Sequence, residues 1–232
     1  MTEPYQEARA GENEGAASAG MGERILLIAA IYLIMLAFAV SVTMIGPLMP
    51  LLIREYGLRL SQGGLIMTAQ SIGGLLAIVA GGLLADRLPK GVLIACCFAG
   101  YVLSLFLISA APMYGILLLI FFMLGASTRL MDTVNNALTS DLYPNHRGVA
   151  LNLLHTFFGI GALLGPLFTR LVLNQGIHWS TAYSILGTVC LAVLVFFVAA
   201  LSRQPRQTKV APGLKPPSPA LLFADKRMWL LC

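Results

Sequence analysis

The sequence predicts an all-α membrane protein of six transmembrane helices, and three observations lead there. The 232 residues are 58% apolar and only 11% charged, with a mean hydropathy of +0.83. A soluble domain carries roughly a quarter charged residues. This composition excludes a disordered protein, a nucleic-acid-binding domain and almost any soluble enzyme. The second observation is spacing: no Asp, Glu, Lys or Arg occurs from Ile25 to Ile53, from Leu60 to Ala85, or from Gly91 to Thr128. A helix needs about 20 mostly apolar residues to cross a hydrocarbon core of about 30 Å. The third is that turn and breaker residues cut the apolar material into six pieces.

The first piece runs from Ile25 to about Ile53, with Gly46, Pro47 and Pro50 near its far end, where a kink or unwinding is expected. Ahead of it, residues 1–24 are rich in Ala, Gly and Glu and lack the basic start of a signal peptide, so they read as a disordered cytoplasmic leader. The second helix begins after Arg59 with Ser61 as its cap and ends at Asp86 and Arg87, with Pro89 as the stop. The third spans about Lys90 to Ser109. The break Ala110-Ala111-Pro112 leads into the fourth, Met113 to about Leu142. A loop of Pro144, Asn145, His146 and Arg147 precedes the fifth, Gly148 to Leu173, and Asn174-Gln175-Gly176 precedes the sixth, Trp179 to Leu201. The bundle thus occupies residues 25–201. The segment 202–232 is a Pro-rich cytoplasmic linker that turns apolar at Met228 and reads as the start of a truncated seventh helix.

The net charge of +5 comes from basic residues scattered singly between apolar runs, so they read as topology signals and give no reason to expect a nucleic-acid partner. Eleven Lys and Arg fall on the side that holds both termini and three on the other, with Arg129 inside the fourth helix. That bias predicts a multi-pass protein of the cell inner or plasma membrane, surrounded by lipid, with both termini cytoplasmic. Cys96, Cys97 and Cys190 lie in apolar runs and read as small hydrophobes. No metal-ligand spacing, cofactor loop or activated nucleophile is present, so no cofactor, metal or catalytic residue is expected.

Polar residues inside the spans carry the chemistry. Asp132 is an ionisable group deep in the fourth helix, which makes it a site candidate by default. Arg129, Asn135 and Asn136, at i−3, i+3 and i+4, lie on the same helical face. Packing alone would account for Arg129 as a neutralising partner, but not for two further amides. On the fifth helix Asn152, His155 and Gly159 form a facing stripe. Together with Gln70 these groups make a donor and acceptor set suited to the hydroxyls of a sugar or polyol. Gln70 with Gly74, and His155 with Gly159, share a polar-then-small spacing on helices that cross in opposite directions, which suits a 3+3 inverted repeat. Gly161 and Gly165, followed by Pro166, have the small-xxx-small spacing of touching helices, and Gly73, Gly74, Gly81 and Gly82 make a comparable stripe on the second.

The segment Gly82-Leu-Leu-Ala-Asp86-Arg87-Leu-Pro89-Lys90 resembles the cytoplasmic loop signature between helices two and three of the major facilitator superfamily, with Pro89 where a Gly is usual. Asp132-Thr-Val-Asn-Asn136 and the run Leu151 to Pro166 resemble the sugar:proton symporters of the fucose permease type. The resemblance implies the N-terminal half of a major facilitator fold, a gating role for Gly82, Asp86, Arg87 and Lys90, and substrate and proton handling at Asp132 and Asn136. It departs in helix one, which here holds no carboxylate. The Gly161-x-x-x-Gly165-Pro166 element also resembles drug:proton antiporters.

In this family the partner of an acid such as Asp86 is a helix in the second half of the transporter, which implies a complementary C-terminal six-helix half or a homodimer. The expected function is half of a secondary transporter for a sugar-like small-molecule solute, proton-coupled. The alternatives are half of a drug efflux antiporter and a non-transporting truncated membrane protein.

Overall fold

The computed structural model describes residues 3–85 and 88–203, with side chains over 22–79, at 81 and over 88–203. Every regular element among them is helical: α1 (Glu3–Glu55), α2 (Leu60–Ala85), α3 (Lys90–Ser109), α4 (Tyr114–Leu142), α5 (Arg147–Asn174) and α6 (Trp179–Arg203). Each is long and apolar enough to cross a membrane, α1 from Gly22 onward.

The helix ends follow from local chemistry. α1 closes on Gly57, whose φ of 59° suits a residue without Cβ. Leu58 N–H then donates to Ile53 O (2.9 Å) and Gly57 N–H to Arg54 O (3.4 Å), the paired bonds of a Schellman cap. Gly176, at φ 71°, ends α5 in a related way, donating to Leu173 O at 3.0 Å. The start of α2 differs from the expected Ser61 cap. Arg59 stands at the cap position and its backbone N–H donates to Gln62 Oε1 at 2.8 Å, the back-reaching half of a capping box.

The helical backbone of α1 bears on two further expectations. The backbone is helical from Glu3, through the segment expected to be a disordered leader; its Ala and Glu are strong helix formers. α1 also passes Pro47 and Pro50 without unwinding. The linker and the seventh-helix start expected over 202–232 lie outside the described residues beyond Arg203.

Packing pairs α2 with α4 and α1 with α5 most closely, then α3 with α4 and with α6, and α1 with α6. Exchanging α1, α2, α3 for α4, α5, α6 maps this set onto itself. α2·α4 becomes α5·α1, α3·α4 becomes α6·α1, and α3·α6 returns to itself. Spans one and four cross in opposite directions, so the exchange is that of an inverted repeat.

Glycine makes both close crossings possible. A Cβ on Gly73 would overlap the Phe122 carbonyl of α4, and one on Gly125 the Gln70 carbonyl of α2. At the equivalent crossing, Gly161 lies against the Leu36 carbonyl of α1, and a Cβ on Gly165 would fall 2.6 Å from Val40 O. The matching pair of the sequence reading, Gly74 and Gly159, is not equivalent: Gly74 is buried at a crossing, whereas Gly159 is exposed with nothing near it. The apolar core is centred on α1, α3 and α4, with Tyr101, Phe98 and Phe121 fully buried, while α2 and α5 expose Leu, Ile and Val.

Candidate functional site

A cavity of about 330 Å³ opens between α1, α2, α4 and α5. It lies at the low end of the roughly 300–1,000 Å³ range of small-molecule pockets. α1 contributes Met35, Phe38 and Val42; α2 contributes Met67, Gln70 and Ser71; α4 contributes Gly125, Thr128, Arg129 and Asp132; α5 contributes His155 and Phe158.

The glycine crossings position these groups. Because Gly125 lets the α2 backbone touch α4 at Gln70, the Gln70 side chain reaches the same cavity as Arg129 and Asp132, one and two turns along. Gly74 does the same for Arg129: a Cβ there would fall 2.5 Å from Arg129 Cγ, so the arginine stem lies across the glycine. On the other wall, Gly161 and Gly165 hold α5 against α1. There Phe38 and Phe158 pack at 5.7 Å between ring centroids, giving the cavity an aromatic edge.

Asp132 is half-buried, and its Oδ1 accepts a hydrogen bond from Asn136 Nδ2 at 3.0 Å. The same Nδ2 donates to Asp132 O at 2.8 Å. Arg129 is near in sequence and on the same face, yet among the described residues no ion pair within 4.0 Å joins it to Asp132. Neutralisation of one by the other through direct contact is therefore absent. A charge in a span costs about 2.5–3.5 kcal/mol on insertion scales, and the cavity is what makes both tolerable.

Of the six residues expected at a substrate or proton site, the structure brings Gln70, Asp132 and His155 to one cavity. Asn136 stands behind Asp132 as its hydrogen-bond donor and does not line the space. Asn135 is turned away. It is 1% exposed between α4 and α1, with Nδ2 donating to Ile31 O at 3.4 Å and Oδ1 unpartnered. Asn152 is exposed on α5 and apart from the cavity, as is Gly159. On α4, α1 covers the side that holds Asn135, while Asn136 one position on reaches Asp132.

Ser71, Thr128 and the aromatic pair are lining groups that sequence reasoning missed. Thr128 donates to Leu124 O at 2.8 Å and Ser71 to Met67 O at 2.9 Å, so both present their oxygens with the hydrogen already committed. Only their position three or four residues from other lining groups hints at them.

Of the expected gating residues, Gly82 lies in α2, Asp86 and Arg87 lie outside the described residues, and Lys90 begins α3. Lys90 Nζ pairs with Asp141 Oδ2 at 2.5 Å, in the last turn of α4. Pro166 sits inside an unbroken α5, exposed.

Three comparisons bear on this arrangement. Mouse sodium-dependent glucose transporter 1A is 28% identical over 151 residues, taking in 65% of this chain and 34% of that one. The human sodium-dependent glucose transporter 1 is 25% identical over 139 residues, 60% of this chain and 27% of that one. This chain thus spans about a third of the length of the curated relatives it matches. The crystal structure of a bacterial homologue of the human lysosomal transporter Spinster, inward-facing and unoccupied, has the same fold. It superposes with a TM-score of 0.67 at 19% identity, over 84% of this chain and 46% of that one. Residues 31–232 match the Major Facilitator Superfamily, nearly the whole chain. With six helices packed as an inverted repeat and a cavity between α1, α2, α4 and α5, the chain belongs to that superfamily, and its bundle is the N-terminal half of the fold.

Proposed function

We propose that this chain supplies one wall of a secondary transporter for a sugar-like polar solute, with Asp132 as the proton-handling group. The observation that carries the reading is the joint cavity of Asp132, Gln70 and His155 beside the Phe38–Phe158 pair. A carboxylate, an amide and an imidazole offer donors and acceptors to hydroxyls, and aromatic faces cover the apolar side of a sugar ring. The relatives named as sodium-dependent glucose transporters support a hexose-like solute. Gly161 and Gly165 have a full account in the contact between α1 and α5, so they do not favour drug efflux.

Such transporters work by rocking two six-helix units about a shared site. The α2 and α5 faces rich in exposed Leu, Ile and Val suit contact with a complementary C-terminal half or a second copy. Gly82, Asp86, Arg87 and Lys90 would form the loop that gates that motion. The bias of Lys and Arg favours cytoplasmic termini, with Lys90 and Asp141 on the cytoplasmic side.

The deciding experiment reconstitutes the chain with a matching C-terminal half in proteoliposomes. It follows labelled hexose under an imposed proton gradient, with a sodium gradient as the second arm. Uptake driven by protons and abolished by Asp132→Asn, with solute exchange partly retained, supports the reading. Accumulation by Asp132→Asn equal to the parent's removes the role given to Asp132. Sodium-driven uptake indifferent to pH replaces the proton as coupling ion. Reporter fusions after Cys232 and in the loop 174–178 should read cytoplasmic and external respectively, and the reverse would overturn the orientation.

A further inference from the structure

Two ion pairs lie at helix ends among the described residues, Lys90 with Asp141 and Glu55 with His178, while end arginines such as Arg54 and Arg203 have water within reach. Arg129, in the middle of α4, is different. Its side chain is exposed to the cavity, laid across Gly74, and among the described residues no carboxylate lies within 4.0 Å of it. The one acid in the same cavity, Asp132, already receives Asn136 at 3.0 Å. The remaining walls mix apolar side chains with the neutral polar groups Gln70, Ser71 and Thr128 and the imidazole of His155, and none of these is an anion that would pair with a guanidinium. A guanidinium keeps its charge at every relevant pH, and its planar fork matches a carboxylate with two parallel hydrogen bonds. A fork that has no carboxylate partner among the described residues, and that opens on a cavity from the middle of a span, is therefore a seat for an anion.

We propose that the solute is a sugar acid, a polyhydroxylated ring or chain bearing one carboxylate, with the carboxylate on Arg129 and the hydroxyls on Gln70, His155 and Asp132. This rests on the reading of the cavity as the solute site and deepens it. The charge count supplies a coupling rule. With Asp132 ionised and His155, the other titratable group of the cavity, neutral, the site sums to zero and an entering anion leaves one negative charge in a low-dielectric site. With a proton on an Asp132 oxygen the pair sums to plus one, and a monoanion restores neutrality. Proton and monoanion thus favour each other's binding, and the loaded site moves without net charge. A sugar phosphate, carrying up to two charges, needs a second fixed cation that this wall does not hold.

The test measures binding to the purified full chain in lipid nanodiscs, by isothermal titration and ligand-induced thermal shift, with glucuronate, glucose and a hexose phosphate as probes. Glucuronate should bind at least about tenfold more tightly than glucose, and more tightly still as the pH falls. Arg129→Gln should erase that preference, bringing glucuronate to the level of glucose, and Arg129→Lys should keep part of it. Equal binding of glucuronate and glucose by the parent chain overturns the proposal without need of any variant, so a poorly folding Arg129→Gln does not shelter it. In that outcome the sugar-site reading survives. Preference for the phosphate overturns the carboxylate. Binding of none of the three probes, by the chain alone or with a C-terminal half, overturns the proposal and the solute-site reading together.

Discussion

Lys90 and Asp141 form an ion pair of 2.5 Å that ties the start of α3 to the end of α4. Glu55 and His178, at 3.0 Å, tie the end of α1 to the start of α6. The exchange of α1 for α4 and α3 for α6 that relates the two halves of the bundle turns one pair into the other. The inverted repeat therefore extends beyond packing to a polar tie at each membrane face. The two ties differ in chemistry, since Lys carries a fixed charge in the neutral range while His carries one only when protonated.

The Lys90 pair should contribute little to stability, because Asp141 is 54% exposed and solvent screens the attraction. A double-mutant cycle of Lys90→Ala and Asp141→Ala, read by thermal unfolding in detergent, should give a coupling of about 1 kcal/mol or less. Transport, in contrast, should fall with either single change and recover in the exchanged pair Lys90→Asp with Asp141→Lys. Failure of the exchanged pair to recover would show that position, and not charge, is what the tie supplies.

The other face should be more sensitive. Glu55 also accepts from the indole N–H of Trp179, which is buried and packs against Tyr56 and Tyr183. Removing the acceptor leaves a buried donor unsatisfied, so Glu55→Ala should cost about 1–3 kcal/mol. His178→Ala should cost less, since its ring is 57% exposed. Comparable losses for the two variants would place the energy in the ion pair instead of the indole bond.

The glycines offer a sharper contrast. Gly161→Ala drives a methyl into the Leu36 carbonyl of α1, and Gly125→Ala does the same to Gln70. Neither backbone can yield without separating the helices, so each should destabilise by about 1–3 kcal/mol. Gly159→Ala meets nothing within 4 Å and removes a flexible residue from a helix interior. It should be neutral or stabilise by about 0.5–1 kcal/mol. Unfolding midpoints of the three variants in one detergent decide the matter, and a loss at Gly159 equal to that at Gly161 would refute the crossing geometry.

That contrast also marks how far the sequence could be read. Long charge-free runs and their breakers were enough to place α3 at Lys90–Ser109 and the other spans within a few residues, because hydrophobic length and Pro or Gly stops act locally. Asp132 stood out for a similar reason: a carboxylate in an apolar run has few uses. What the run of residues does not encode is which side of a helix its neighbours cover. Gly159 and Gly161 look alike in sequence, yet only the second faces α1. Asn135 and Asn136 are adjacent, and one faces α1 while the other braces Asp132. Gly176 is legible as a turn residue, but the back-reaching Gln62 at the start of α2 was hidden behind the more obvious Ser61.

The two asparagines give the last prediction. Asn135 is buried with one long bond to Ile31 O, an oxygen inside the continuous helix α1, and its Oδ1 has no partner. Replacing it with Leu removes the unsatisfied atom and orphans no group that depends on it. A buried polar group exchanged for an apolar one of similar shape is often neutral or stabilising. Asn135→Leu should therefore leave the unfolding midpoint unchanged or raised, and leave solute uptake intact. Asn136→Leu strips the Nδ2 donor from the Asp132 carboxylate without touching the cavity itself. The pH dependence of uptake should then change, with little loss of stability. If Asn135→Leu abolishes uptake while Asn136→Leu leaves the pH profile in place, the solute path runs along the α1 side of α4, and the cavity described above is not the one that matters.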